Sequence, residues 1–128
     1  MVNDTGKGEQ GKEYDLAERT AKFGEAIIGF AKRIKVNDIT RPLVGQIVSA
    51  ATSVGANYCE ADEAQSRKDF RHKIGTCKKE SRETGFWIRM IVAAQSDLKD
   101  DARPLWKESR ELTLIFAAIL RGRDGQSR

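Results

Sequence analysis

The chain has 128 residues, of which 39% are hydrophobic and 33% are charged, and its formal net charge is +4. This length is enough for one domain with a single core, and the composition excludes a disordered chain. The small excess of cations is compatible with nucleic-acid binding without establishing it.

The polar ends of the chain delimit its folded part. Residues 1–14 are polar and glycine-rich, with no apolar signal-peptide segment, so we expect a flexible N-terminal tail. Residues 122–128 predict a flexible C-terminal tail, which leaves residues 15–121 for the domain. The uncharged run 42–59 holds too many polar residues for a membrane span of ~20 apolar residues. It predicts a buried helix instead.

The first two predicted helices carry apolar stripes whose members lie three and four residues apart. The first helix runs from its N-cap Asp15 to Ile34, and its stripe is Leu16, Thr20, Phe23, Ile27, Phe30 and Ile34. The second opens at Thr40 with Pro42 in its first turn, where the missing N–H costs nothing. Its stripe is Leu43, Ile47, Ala51, Val54, Tyr58 and Ala61.

The third and fourth predicted helices complete the domain. The third, capped by Ser66, runs from Arg67 to about Leu98. Its stripe is Phe70, Ile74, Cys77, Ser81, Thr84, Ile88, Ile91, Gln95 and Leu98. The fourth begins with Asp100 or Asp101 as its cap, ends near Arg121, and carries Leu105, Leu112, Phe116 and Ile119. Stripe spacing near 3.5 residues and short connections predict an all-α, up-down antiparallel four-helix bundle.

The residue types that metal binding and catalysis require are sparse. The single histidine, His72, cannot supply the paired motifs of a di-iron bundle, and Cys59 and Cys77 do not complete a zinc site with it. The two cysteines form no close pair and indicate a reduced, cytoplasmic setting. Glutamates near the turn between the second and third helices read as salt-bridge partners of Lys68 and Arg71. We therefore predict no metal, no cofactor and no catalytic residue.

A basic stripe follows one face of the third helix, one position ahead of its apolar stripe. Its members are Lys68, Arg71, Lys78, Arg82 and Arg89, with Gly75 and Gly85 in the gaps. Five cations and two bare glycines are suited to a phosphate backbone at close approach. The alternative is a solvated flank that is partly paired with Glu60 and Glu63.

The end of the same helix is apolar around almost its whole circumference, which requires a second packing partner. Because Ile88 and Ile91 serve the core, four residues predict a self-association surface: Phe86, Trp87, Met90 and Ala94. Glycines within the helices favour close packing, namely Gly24, Gly29, Gly45, Gly55, Gly75 and Gly85. The alternative is a thick core that includes Trp106.

Two segments carry a family resemblance. Residues 53–60 read Ser-x-Gly-Ala-Asn-x-x-Glu, and the further matching positions are Ala64, Ser66, Asp69, Phe70, Lys79, Glu80, Glu83 and Trp87. They resemble the bacterial "four helix bundle protein" family, whose members are often encoded in intervening sequences of large-subunit ribosomal RNA genes. Accessory variability proteins of diversity-generating retroelements are similar to it. The resemblance is close from Gly45 to about Ile91.

The resemblance implies a bundle that assembles as a homopentameric ring with a central channel. The retroelement relatives are basic, bind nucleic acid and work with a reverse transcriptase. The family motif supplies no catalytic residue, so the resemblance implies a non-enzymatic protein.

Two functions remain open from the sequence. The first is an oligomer that binds RNA or DNA electrostatically through the basic stripe, with Arg121, Arg123 and Arg128 as further cations. The second is a scaffold ring that presents a surface to a reverse transcriptase or another protein and binds no nucleic acid.

Overall fold

The computed structural model describes the backbone of residues 15–127 and the side chains of residues 15–122. The predicted N-terminal tail and the side chains of Arg123 and Arg128 lie outside these described residues. The four helices of this part are α1 (Leu16–Ala31), α2 (Thr40–Asp62), α3 (Arg67–Ala94) and α4 (Lys99–Ser127), with a 3-10 helix at Ser96–Leu98 before α4.

The helices form an antiparallel bundle in which each packs against the next and α1 packs against α4. The ion pairs between helices show that neighbouring helices run in opposite directions. Arg19, early in α1, meets Glu108 in the middle of α4, whereas Arg33, just after α1, meets Asp101 at the start of α4. Glu60 near the end of α2 pairs with Lys73 near the start of α3, a partner that the sequence did not indicate. The predicted all-α four-helix bundle is confirmed.

The predicted stripes form the core because each places its apolar side chains on the face that meets the neighbouring helices. Its fully buried large side chains come from all four helices: Ile27, Phe30, Ile47, Val54, Ile74, Ile88, Ile91, Leu112 and Phe116. Leu43, Tyr58, Phe70, Leu105 and Ile119 pack against this cluster at partial burial. The predicted N-caps of α1 and α3 are also confirmed, since Asp15 accepts from the N–H of Glu18 and Ser66 from that of Asp69.

Four predicted helix ends differ from the structure. After Ala31 the backbone N–H groups of Arg33 and Ile34 bond three residues back, which tightens the chain into a turn that still buries Ile34. The third helix likewise stops at Ala94, and the 3-10 helix carries Leu98 into the core. That turn lets α4 begin at Lys99, so Asp100 and Asp101 lie in its first turn and neither is its cap. At its other end α4 continues to Ser127, beyond the predicted Arg121.

Candidate functional site

A groove of about 260 Å³ runs along the surface between α3 and α4. Its walls combine cationic and large apolar side chains from both helices: Arg82, Phe86 and Arg89 from α3, and Trp106, Arg110 and Leu114 from α4. On α4 these residues recur every four positions, which places them on one face of that helix. We call this surface the α3–α4 groove.

The floor of the α3–α4 groove is a close contact between the two helices. A Cβ atom added at Gly85 would lie 2.9 Å from the Oγ of Ser109, nearer than two such atoms normally approach. The Ser109 hydroxyl donates a 2.7 Å hydrogen bond to the Trp106 carbonyl. Gly85 is thus buried against α4, and the prediction that it is bare to a ligand is wrong. Gly75, with nothing within 4 Å of its added Cβ, remains open.

The groove exposes an unusual amount of apolar surface. Phe86 is 50% exposed, Trp106 is 41% exposed and Leu114 is 61% exposed. The guanidinium carbon of Arg110 stands 5.1 Å from the centre of the Trp106 ring, within range of a cation–π interaction. Trp106 is therefore part of the surface, which excludes the alternative that it belongs to a thick core.

The charge of the groove is uniformly positive. None of the described residues that line it carries a carboxylate. Among the side chains of residues 15–122, the cations in ion pairs do not include Arg82, Arg89 or Arg110. Within the described part of the chain, three arginines without carboxylate partners thus surround exposed aromatic rings.

Two carboxylates of α4, those of Glu108 and Glu111, face α1 on the side of α4 away from the groove. Glu108 accepts two hydrogen bonds from Arg19, at 2.7 Å from Nε and 2.8 Å from Nη2, and Glu111 accepts a third at 2.9 Å. This bonding, first of all to Glu108, holds the pKa of Arg19 above its usual range. Because both glutamates are engaged by α1, they do not neutralise the arginines of the groove.

The predicted basic stripe divides in the structure. Arg82 and Arg89 line the groove, as a stripe on one face requires. Arg71 lies on the same seam and donates from Nη1 to the Leu120 carbonyl at 2.9 Å. Lys68 is exposed and Lys78 half-buried, and neither is among the lining residues. Sequence reasoning missed the α4 half of the site, although the spacing of Trp106, Arg110 and Leu114 on one helix face was readable.

The residues predicted for self-association have different surroundings. Phe86 lies in the groove, with its ring edge-on to that of Trp87 at 5.1 Å. Trp87 packs against the core at partial burial, and Met90 is half-buried. Ala94 is exposed at the end of α3. The self-association surface itself stays a prediction.

The predicted close packing of the glycines holds for part of the set. A Cβ atom added at Gly24 of α1 would contact atoms of α2. A Cβ atom added at Gly55 of α2 would lie 3.3 Å from the Oγ1 atom of Thr20 in α1. Like Gly75, the positions Gly29 and Gly45 have nothing within 4 Å. Close approach through glycine therefore joins α1 to α2 and α3 to α4.

The thiols and the histidine do not come together. Cys59 is exposed, whereas Cys77 is buried and its Sγ donates to the Val54 carbonyl at 3.5 Å. Burial raises the pKa of the Cys77 thiol to about 12. His72 is exposed. Across residues 15–122, no group of three or more histidine, cysteine and carboxylate side chains is placed to hold a metal ion.

The fold and the groove define a helical-bundle protein with a cationic, aromatic surface. A family model described as 23S rRNA-intervening sequence protein matches residues 12–118. The chain belongs to this family, which confirms the resemblance carried by α2 and α3.

One solved structure gives an independent comparison of the fold. It is a protein of unknown function from the S23 ribosomal protein family of Bacteroides thetaiotaomicron. The likeness has a TM-score of 0.73 at 24% identity and covers 86% of this chain and 98% of that chain. A search of curated proteins found no match. Of the helices described here, none has both the length and the apolar character that a membrane crossing requires.

Proposed function

We propose that this protein is a non-enzymatic nucleic-acid-binding protein and that the α3–α4 groove is its binding surface. The observation that carries the proposal is a set of three arginines, Arg82, Arg89 and Arg110, beside exposed aromatic rings; none of the three has a carboxylate partner among the side chains of residues 15–122. Arginine suits this task because its planar guanidinium donates two parallel hydrogen bonds to a phosphate.

Binding through this groove is expected to depend strongly on salt. Each phosphate that an arginine neutralises releases counterions, so log affinity falls linearly with log salt concentration. For a single strand the slope is roughly −0.7 for each phosphate contacted. The family is described by its association with intervening sequences of 23S rRNA. RNA is therefore the first ligand to test.

The test compares two double variants that remove equal charge. Arg82→Gln with Arg89→Gln neutralises the groove, whereas Lys22→Gln with Arg33→Gln neutralises exposed cations that are paired with Glu18 and Asp101. Fluorescence anisotropy with a labelled RNA of about 12 nucleotides gives the affinity and its salt slope. We expect the groove variant to bind at least ~10-fold more weakly, with a salt slope lower by ~1.4.

The control variant should keep most of the affinity, because its cations lie on the α1 side of the bundle. Equal losses in both variants would mean that only the total charge of the protein matters. Undiminished binding by the groove variant would contradict the assignment of the surface.

The predicted homopentameric ring is a second element of the proposal. The groove arginines make Phe86 a poor interface residue, because burying unpaired charges is costly. Trp87 packs on the core, so Trp87→Glu would disturb folding as well as assembly. Met90→Glu and Ala94→Glu are therefore better probes of assembly. Light scattering should give five chain masses for the unmodified protein and a lower mass for these variants; a monomer would contradict this element.

The alternative function, a protein-interaction scaffold, has its own supporting observation. Val36 and Ile39, in the connection between α1 and α2, are 58% and 68% exposed. Exposed apolar side chains of this size are typical of protein contacts. A scaffold would show no salt-dependent RNA binding, and Val36→Ser with Ile39→Ser would release a purified protein partner such as a reverse transcriptase.

A further inference from the structure

We infer that the α3–α4 groove takes up unpaired bases, so that the protein prefers single-stranded nucleic acid to duplex. This inference rests on the proposed function and specifies its ligand. The observation is the position of Phe86 and Trp106 on the two walls of one groove, each with about half of its surface open to solvent. Aromatic rings that remain exposed between cations are the platform on which proteins stack bases.

The size of the groove suits a single flat ring. Its volume of about 260 Å³ lies below the ~300–1,000 Å³ that is usual for sites of drug-sized ligands. The Gly85–Ser109 contact closes the floor, so a ligand enters from the solvent side only. A planar base fits this shape better than a bulky small molecule does.

The arginines around the two aromatic rings are positioned to bind the phosphate backbone of the ligand. Arg82 and Arg89 line one wall and Arg110 lines the other, standing over Trp106. A base held against the rings puts its flanking phosphates beside these guanidinium groups. Arginine planes also stack on bases themselves, which adds to the aromatic contacts.

A duplex cannot use this arrangement equally well. Its bases are already paired and stacked, so it offers phosphates to the arginines and leaves the apolar surface of Phe86, Trp106 and Leu114 without a partner. Each stacked base contributes enough to change the affinity by a factor of roughly 5 to 150. The preference for single strands should therefore be measurable with a single engaged base.

A second copy of this chain is a less suitable occupant. It would have to bury three guanidinium groups against a surface to which this groove contributes no carboxylate. Burying charges without partners is strongly unfavourable. Charge complementarity therefore favours a polyanion.

The first experiment uses Trp106 as its reporter. The chain has two tryptophans, so a Trp87→Phe background leaves Trp106 as the only one. This protein is titrated with oligo(rU), with oligo(dT), with an abasic strand that carries the same phosphates, and with a duplex, each about 12 nucleotides long. We expect the base-bearing single strands to quench Trp106 and to bind at least ~10-fold more tightly than the abasic strand or the duplex.

The second experiment replaces the rings and keeps apolar bulk. Phe86→Leu and Trp106→Leu are assayed by anisotropy with labelled strands, after circular dichroism has shown that each variant is folded. Both should lose ~5-fold or more of their affinity for oligo(rU) while their affinity for the abasic strand stays unchanged. Val36→Ala, which shortens an exposed apolar side chain outside the groove, should change neither affinity.

The outcomes separate this inference from the proposed function. Equal binding of oligo(rU) and the abasic strand would overturn base stacking, while the loss caused by the arginine variants would still stand. Absence of binding by any strand would overturn both. If Phe86→Leu or Trp106→Leu changed the oligomeric mass of the protein and left its affinity for oligo(rU) unchanged, the groove would be an interface with a second copy of this chain. Equal affinities for oligo(rU) and oligo(dT) support recognition of bases and phosphates alone, and tighter binding of oligo(rU) supports an RNA ligand.

Discussion

On one side of α4, Glu108 and Glu111 hold Arg19 of α1 at 2.7 and 2.9 Å, so that opposite charges are paired. On the other side of the same helix, Arg110 lines a groove with Arg82 and Arg89 of α3, and no lining residue that the structure describes carries a carboxylate. Both faces carry charged side chains, and they differ in whether the opposite charge is supplied by the neighbouring helix.

This difference explains how a chain of low net charge presents a strongly cationic surface. The formal net charge is only +4, yet the groove gathers three arginines and no acid from among residues 15–122. Asp101, Glu108 and Glu111 of α4 are paired instead with Arg33 and Arg19 on the α1 side of the bundle. The paired side therefore serves stability and the unpaired side is available for a ligand.

The largest expected effect on stability lies on the paired side. Glu108→Gln removes the charge from a carboxylate that accepts two hydrogen bonds from Arg19, and both side chains are less than one third exposed. We expect the free energy of unfolding to fall by about 2 kcal/mol. Arg110→Gln, on the unpaired side, should change it by less than ~0.5 kcal/mol.

Urea denaturation of the two variants in parallel measures this contrast. A loss for Arg110→Gln equal to that for Glu108→Gln would mean that the groove arginine is structural, and the contrast between the two sides of α4 would fail.

Smaller changes in the free energy of unfolding are expected when two glycines of α3 are replaced. Gly85→Ala brings a Cβ to 2.9 Å from the Ser109 Oγ and should lower the free energy of unfolding by ~1 kcal/mol. Gly75→Ala, with nothing within 4 Å of its Cβ, should raise it by ~0.5–1 kcal/mol through helix propensity.

Repeating Gly85→Ala in a Ser109→Ala background tests why Gly85→Ala is destabilising. The background removes the Ser109 hydroxyl oxygen, with which the new methyl group would clash. In that background Gly85→Ala should become neutral or stabilising in thermal unfolding. A loss that persists would show that the floor of the groove is set by other contacts.

The smallest change in the free energy of unfolding is expected in the core of the bundle, at Ser81 of α3. Ser81 is fully buried, and its hydroxyl has no hydrogen-bond partner among the described residues. Ser81→Ala should therefore leave the free energy of unfolding unchanged or raise it by up to ~1 kcal/mol. Calorimetry that shows a clear loss would mean that this hydroxyl is bonded in solution.

The core of this fold was predictable from the sequence because burial imposes a period on each helix. Ile27, Ile47 and Ile88 each belong to an apolar stripe on their own helix. The members of each stripe lie three or four residues apart, and that spacing is visible without coordinates. Helix ends were less predictable. Tight turns after Ala31 and before Lys99 moved these helix ends by up to four residues, while Ile34 and Leu98 stayed buried.

The site was predictable only in its α3 half. Arg82, Phe86 and Arg89 stand out within one helix, whereas their relation to Trp106 and Arg110 depends on how α3 and α4 pack. The pairing of Glu108 with Arg19, which leaves the groove cationic, joins residues 89 positions apart. No local pattern records such a contact, so the division of charge between the two sides of α4 required the structure.

The most direct test of this account is photocrosslinking with a uridine-containing RNA, followed by mapping of the modified peptides by mass spectrometry. The account predicts adducts in the peptides that contain Phe86 and Trp106, and their loss in the Arg82→Gln, Arg89→Gln double variant. Adducts confined to the α1 side, around Lys22 and Arg33, or to residues 1–14 would contradict it.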